Sequence, residues 1–575
     1  MLMINKTLQM EKRWTLSAAC DEKTVETLAN ELNIDKNLAQ ILVQRGITDY
    51  EKARYFFRPQ LNHLHDPFLM KDMEHAISRI SLALQNEEKI MIYGDYDVDG
   101  TTAVALIYSF FSELTENITY YIPDRHKEGY GISTAGIDFA ATNNFSLIIA
   151  LDCGIRSIDK IEYATKLGVD FIICDHHLPG DELPKAVAVL DPKRADCDYP
   201  FKELSGCGIG FKLVQAYCEL HNLPSEKYEC YLDFCMVSIA ADIVPIVDEN
   251  RVLAHFGLLK LNKNPSAGLK ALMEISGKNE TYDITNVVFS IAPRINAAGR
   301  MGDAKEAVKM LLSNQAQLAD LQSIFINSQN TERKTFDKEI TKEALALIEE
   351  SEVLINRKTT VVYKEGWNKG VIGIVASRLI ETYYRPTIVL TESNGNYTGS
   401  ARSVAGFDLY EALLECSDLV EQFGGHKYAA GLTLKPENLS LFSERFESVV
   451  AASISPNLLI PEIYIDCEID LAQIDAKFYR VLTQMGPFGP QNMAPVFVSK
   501  NVKLIGAPKI VGTNHLKLSV NQQNSSIFEC IGFGLGEFER KLQPNKPFDI
   551  CYSIEENIWN EKKRLQLSIK AIKID

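Results

Sequence analysis

At 575 residues the chain has room for about three to four domains and an ample apolar core. Its 46% hydrophobic and 24% charged content is that of an ordinary globular protein, and it has no apolar run long enough to span a bilayer, so a helical membrane protein is excluded. The net charge of −16 excludes a protein that coats nucleic acid indiscriminately while leaving room for a local groove.

Residues 1–75 read as helical, with an N-cap pair at Thr48-Asp49 and an aromatic cluster at Tyr55-Phe56-Phe57. Met1–Trp14 lacks the apolar core and cleavage site of a signal peptide, so a cytoplasmic address is expected. Between Gln85 and Pro192, strand-like runs at Lys89–Tyr93, Leu147–Leu151, Phe171–Cys174 and Ala186–Leu190, with helical sequence at Thr101–Leu114, predict a doubly wound parallel sheet. The first three runs each end in acidic residues: Gly94-Asp95-Tyr96-Asp97-Val98-Asp99-Gly100, Leu151-Asp152-Cys153-Gly154 and Cys174-Asp175-His176-His177. Such sheets bind ligands beyond the carboxyl ends of their strands. Carboxylates crowded there repel one another unless divalent cations neutralise them, and the added imidazoles favour a transition metal over calcium. Two ions about 3.5–4 Å apart are the natural load.

Asp-x-Asp-x-Asp-Gly also opens an EF-hand loop. Here the twelfth position from Asp95 is Leu106 rather than the required Glu, and a strand rather than a helix precedes it. Asp152 alone would be an ordinary turn carboxylate and His176-His177 ordinary histidines; their joint placement gives them weight. A helical run at Tyr231–Ala241 ends in Asp242, which either delivers a further carboxylate to the sheet edge or closes the helix before Pro245.

From Asp303 to Val353 there is neither Gly nor Pro, which predicts a long connecting helix or helix pair. A second α/β unit runs from Thr359 to Ser453. It contains two turns suited to phosphate or sugar, Gly399-Ser400-Ala401-Arg402-Ser403 and Phe423-Gly424-Gly425-His426. From Pro461 to Asp575 short alternating runs, such as His515–Val520 and Arg564–Ile569, predict an all-β barrel. With Lys500, Lys503, Lys509 and Lys517 nearby, it is either a cradle for single strands or a structural barrel with a solvated face. Residues 456–575 hold 14 Lys+Arg against 13 Asp+Glu, so the acid excess lies upstream. The twelve cysteines form no CxxC pair, and reduced structural thiols are expected.

These motifs resemble those of the DHH phosphoesterase superfamily and, within it, the RecJ single-stranded-DNA-specific exonucleases. Asp175-His176-His177 is similar to the naming motif, the segment from Gly94 to Ala103 to the first motif, Leu151–Gly154 to the second, and Ala240-Ala241-Asp242-Ile243-Val244-Pro245 to the fourth. Pro293–Gly302 resembles a segment that meets the DNA backbone, and Gly425–Gly431 resembles the DHH-associated domain. The resemblance implies an α/β multidomain chain. Its expected parts are an N-terminal helical region (1–75), a parallel-sheet DHH domain (76–300), a long connecting helix (301–355), a second α/β DHH-associated domain (356–455) and a C-terminal OB-fold β-barrel (456–575).

It also implies metal ligands Asp95, Asp97, Asp99, Asp152, His176 and Asp242 for two Mn²⁺ or Mg²⁺ ions. Asp97, Asp152, Asp175, His176, His177 and Asp242 are the implied catalytic set, and Arg294, Asn296, Arg300, Ser400, Arg402, Gly425 and His426 the implied substrate contacts. The implied activity is 5′-to-3′ exonuclease action on single-stranded DNA with release of 5′-mononucleotides, in DNA repair and recombination. A helicase and a single-strand-binding protein are implied partners by analogy. Removing the tail from about residue 461 is then expected to weaken long-strand binding while sparing hydrolysis of short oligonucleotides. One position departs from the pattern: Asn368 follows Trp367 where a histidine is usual. Two rival readings are an oligoribonuclease or cyclic-dinucleotide phosphodiesterase on the same chassis, disfavoured by the all-β tail, and a non-catalytic strand-binding scaffold, disfavoured by the intact acidic and histidine positions.

Overall fold

The computed structural model describes residues 12–125, 127–278, 281–559 and 562–574. The signal-peptide reading of Met1–Trp14 falls almost wholly on residues 1–11, outside those described. Two compact units form: Ala18–Asn330 with Asp466–Asp575, and Thr331–Ile465 with the N-terminal strand Arg13–Leu16.

The first unit is built on five parallel strands, β1 (Lys89–Gly94), β2 (Ile118–Tyr121), β3 (Phe145–Leu151), β4 (Asp170–Cys174) and β5 (Ala188–Leu190), in the order β2-β1-β3-β4-β5. β1 and β3 are nearly continuous apolar runs because both faces of the sheet are covered. Helices α1 (Val98–Phe111), α2 (Gly206–Leu220) and α3 (Leu232–Ala241) are apolar almost all round and share one core with the sheet. Asp97 caps α1 by accepting the Gly100 N–H, and Ser205 caps α2 by accepting that of Gly208. After α3 a turn leads into α4 (Asp248–Lys263), and further on lies α5 (Ala292–Met301). The connecting segment is the 34-residue helix α6 (Ala316–Glu349).

The second unit has a sheet of β6 (Thr360–Tyr363), β7 (Thr387–Ser393), β8 (Asn396–Arg402), β9 (Gln422–His426) and β10 (Ala429–Leu434), in the order β9-β10-β8-β7-β6. Only β6 and β7 pair in parallel. Helix α7 (Ile372–Thr382) packs on this sheet.

The all-β tail closes into a five-stranded barrel in the first unit, as an OB fold does. β11 (Phe497–Val511), β12 (His515–Asn521), β13 (Phe528–Gly532), β15 (Lys562–Lys573) and β14 (Phe548–Trp559) pair in that order, and β14 returns to β11. Helix α8 (Ala476–Gln484) lies before the barrel strands.

Two features depart from the sequence reading. Residues 1–75 are not all helical. Arg13–Leu16 is a strand lying parallel to Glu462–Ile465, fixed by an Arg13–Glu462 ion pair at 3.0 Å. The N-terminal helices Glu22–Leu32, Lys36–Gln44 and Tyr50–Phe57 also have no separate core. Leu28, Leu38, Ile41 and Leu42 bury against Phe478, Phe497 and Tyr552 of the barrel domain. Among the described residues no helix is long and apolar enough to cross a membrane. All twelve cysteines are free thiols; Cys230 is exposed, Cys20 half-buried and the rest buried.

Candidate metal centre

Five chain segments deliver the acidic groups to one end of the parallel sheet. Asp95 follows β1, Asp97 and Asp99 stand at the start of α1, Asp152 follows β3, Asp175-His176-His177 follow β4, and Asp242 ends α3. Asp152 adopts a left-handed backbone (φ 59°), an unfavourable state for a non-glycine residue of the kind that clusters at functional sites. Its N–H donates to the Cys174 carbonyl at 2.9 Å, and a Cβ on Gly206 would lie 2.7 Å from its own Cβ, so the start of α2 presses directly on it.

Ligand atoms of Asp95, Asp97 and Asp152 gather within 4.8 Å of one another, as do those of Asp99, His176 and Asp242, and those of Asp152, His176 and His177. The His176 Nε2 faces Asp152 at 3.2 Å, Asp242 at 3.5 Å and Asp99 at 3.7 Å. Both ring nitrogens of His176 and the Oδ2 of Asp95 are buried without a hydrogen-bond partner among the described residues. Buried polar atoms are seldom left so, and these are the atoms that divalent cations would take.

Charge tells the same story. Burial, then the neighbouring carboxylates, pushes Asp95, Asp97 and Asp152 above the usual carboxylate range. Asp242, whose side chain is 30% exposed, is pushed up to about 8 by desolvation and then by Asp99 and Asp97. Burial pushes His176 down. The set therefore resists carrying its own negative charge, and divalent cations would relieve the repulsion.

Asp175 behaves differently. Burial would raise it, but the His177 hydrogen bond and charge, together with the Ile155 N–H, hold it down at about 2. Burial likewise opposes charge on His177, yet Asp175, 2.7 Å from its Nδ1, keeps it up at about 9. The other ring nitrogen of His177 meets the Tyr130 hydroxyl at 3.1 Å. Both Asp99 oxygens are engaged as well, accepting from the Gly206 and Cys207 N–H groups and the Ser238 hydroxyl, each at 2.7 Å. Asp99 thus ties the start of α2 to α3, a carboxylate held at a helix N-terminus.

Of the expected substrate contacts, Asn296 and Arg300 lie on α5, which approaches the first acidic loop closely enough that a Cβ on Gly299 would be 3.0 Å from the Tyr96 carbonyl. Arg294 on the same helix is buried, its guanidinium donating to Asn327 at 2.9 Å and to the Ser290 carbonyl. It braces α6 through the bond to Asn327. Ser400, Arg402, Gly425 and His426 lie in the second unit. Arg402 and His426 stand in register across Ala429, and Arg402 donates to the Ser400 hydroxyl at 3.0 Å. The start of α7 covers this pair, since a Cβ on Gly373 would meet Ser400 Oγ at 2.8 Å and Arg402 at 3.0 Å. Asn368 accepts the Gly370 N–H at 2.8 Å and so shapes the turn into α7.

On the barrel, a groove of about 1470 Å³ runs beside α8, lined by Tyr479, Arg480, Lys517, Phe528, Lys563 and Arg564 among others. Lys517 in the groove is paired with Glu529, so the basic character there is partly neutralised, and Lys500 elsewhere on the barrel is paired with Glu468. Sequence reasoning missed Tyr130, Ser238 and the amides of Gly206 and Cys207. The run Ser205-Gly206-Cys207-Gly208 opening an apolar helix was the available signal for the last two.

Three family models match: the DHH family N-terminal domain over residues 89–239, the DHHA1 domain over 356–452 and the RecJ OB domain over 465–571. The chain is 38% identical over 569 residues to the single-stranded-DNA-specific exonuclease RecJ of Bacillus subtilis, covering 98% of this chain and 71% of that one. It is 31% identical to the protein of the same name from Escherichia coli, covering 88% and 90% respectively. Among solved structures, RecJ of Thermus thermophilus in complex with Mn²⁺ superposes with a TM-score of 0.84 at 25% identity, covering 98% of this chain and 80% of that one. An exonuclease RecJ bound to manganese gives 0.60 at 30% identity, covering 69% and 97%.

Proposed function

Because the chain belongs to the RecJ family of single-stranded-DNA-specific exonucleases, we propose that it degrades single-stranded DNA from the 5′ end toward the 3′ end and releases 5′-mononucleotides in DNA repair and recombination. It is a metal-dependent hydrolase, with Mn²⁺ or Mg²⁺ as cofactor. The observation that carries this reading is the gathering of Asp95, Asp97, Asp152, His176 and Asp242 around unpartnered buried atoms, in a chain that also holds a RecJ-type OB barrel.

In this reading Asp95, Asp97, Asp99, Asp152, His176 and Asp242 would hold two ions. When bound, such ions would supply Lewis acidity to a phosphodiester held at this edge of the sheet. The protein's own groups position and protonate. Asp175 keeps His177 charged, and the His177 Nε2 would exchange its Tyr130 partner for the phosphate. Asp99 lies with His176 and Asp242 in the cluster, and its bonds from Gly206, Cys207 and Ser238 would hold it in place as a further ligand while tying the two helices together. Asn296 and Arg300, and in the second unit Ser400, Arg402, Gly425 and His426, hold neighbouring phosphates or a terminal 5′ phosphate. The division into five segments at 75/76, 300/301, 355/356 and 455/456 belongs to the same reading, as do a cytoplasmic address and a helicase or single-strand-binding partner that supplies the strand.

The test uses the whole chain with Mn²⁺, a long single strand labelled at its 3′ end, the matching duplex and a 5′-phosphorylated dinucleotide. Progressive shortening of the single strand with the duplex spared is expected; cleavage of the dinucleotide alone would establish a small-nucleotide phosphodiesterase instead. Asp152→Asn should reduce turnover to background while strand binding persists. Normal turnover in that variant would overturn the ligand assignment.

A further inference from the structure

The turn that carries Asp242 is not self-supporting. Ile243, the next residue, is β-branched yet has φ +61°, and Asp248, five residues further, has φ +46°. Backbone of this kind persists only where its surroundings dictate it. Much of that support comes from a distant part of the sequence, the loop between α8 and the first barrel strand. The Ile246 N–H donates to the Pro490 carbonyl at 2.8 Å. The fully buried Ile246 side chain presses on Gly489 so tightly that a Cβ there would lie 2.5 Å from its Cγ1. Arg251, one turn into α4, donates to the carbonyls of Met485 at 3.1 Å and Gly486 at 2.8 Å while its guanidinium stacks 3.7 Å over the Phe56 ring. Asn492 braces the loop from within, donating to the Met485 and Pro487 carbonyls at 3.0 and 2.8 Å and accepting from Arg45.

Every contact in this set lies within the first unit, and Asn250 completes it by donating to the Pro245 carbonyl at 3.0 Å. The turn is therefore pinned on three sides: by its own α4, by the N-terminal helices through Phe56 and Arg45, and by the barrel-domain loop through Pro490, Gly489 and Met485. Asp242 sits four residues from Ile246, where the barrel-domain loop takes hold. We propose that the loop Met485–Asn492 of the barrel domain is a positioning element for the metal ligand Asp242, so that the barrel domain sets the metal affinity of the catalytic site as well as contacting the strand. This rests on the reading of Asp242 as a ligand. Gly489 and Ile246 are positioning residues, since neither belongs to the groups that could hold an ion and both act only through the turn.

The test is Mn²⁺ binding to the full chain, measured by titration calorimetry without DNA. Wild type should bind. Gly489→Ala, which wedges Ile246 away, should raise the Mn²⁺ Kd on the order of 10-fold or more, the range expected when support behind a ligand is lost, while affinity for a long single strand in EDTA stays at the wild-type value. Adding Ile246→Ala to Gly489→Ala removes the collision and should recover part of the loss. If wild type binds no Mn²⁺, the metal-site reading itself fails. If wild type binds and folded Gly489→Ala binds equally well, the positioning role is overturned. Should Gly489→Ala melt below the assay temperature, Arg251→Lys, which gives up the bonds to Met485 and Gly486, carries the same expectation and the same refutation.

Discussion

Gly206 bears no functional group, yet its missing Cβ is what lets α2 begin against Asp152, and the 2.7 Å collision an alanine would make falls on that residue's Cβ. Asp152 already sits in left-handed backbone and has no slack to give. Gly206→Ala should therefore lower turnover by up to about 10²-fold, as displacements near 1 Å of a catalytic group do, in single-turnover assays at saturating Mn²⁺. Asp191, just beyond β5, offers a stability test. It is fully buried, its Oδ2 has no partner, and burial pushes it from 3.8 up to about 7. Below about pH 4 both folded and unfolded chains keep the proton, so Asp191 costs nothing. Between about 4 and 7 only the unfolded chain ionises, and the cost to the fold grows, to the order of 4 kcal/mol. Asp191→Asn should match wild type near pH 4 and melt at higher temperature above pH 7, both measured in EDTA.

At the scale of elements, what the sequence made legible were features that carry their own signal. The apolar runs of β1, β3 and β4, each stopped by an acidic residue, could be read directly because strands buried on both faces are written in continuous Ile, Leu and Val. β2 could not: it is a four-residue edge strand, Ile-Thr-Tyr-Tyr, half-buried throughout and without alternation. Nor could the strand Arg13–Leu16, whose partner lies some 450 residues away and whose pairing is invisible to local pattern. Asp99 stood in a row of three similar aspartates, and only the positions of Gly206, Cys207 and Ser238 show that it also ties two helices together. The N-terminal strand can be tested through Glu462, held down at about 2 by hydrogen bonds from Arg13 and Thr15. Being depressed from 4.5, Glu462 contributes its full share above about pH 4.5 and loses it as pH falls through about 2. Glu462→Gln should speed tryptic cleavage after Arg13 at pH 8, and the stability difference from wild type should vanish near pH 2.

For the whole molecule, the N-terminal helices and the barrel are one structural piece although nearly the full length of the chain separates them. Deleting residues from about 461 onward is therefore not a clean removal of a strand-binding module. It would expose Leu28, Leu38, Ile41 and Leu42 and also strip the support from the Asp242 turn. The truncated chain should bind a hydrophobic dye at rest and lose hydrolysis of short oligonucleotides, contrary to what sequence modularity suggests; wild-type activity on them would show the core to be dispensable.

The thiols have a practical consequence. Ten of the twelve cysteines are buried and Cys20 is half-buried, which leaves Cys230, in the turn just before α3, as the one exposed residue, its thiol donating to the Lys227 carbonyl and pushed above its usual pKa by burial. Because burial raises that thiol, a fluorophore maleimide added at mildly alkaline pH should couple there first, without the labour of a cysteine-free background. The native chain thus supplies its own attachment point for watching single molecules at work.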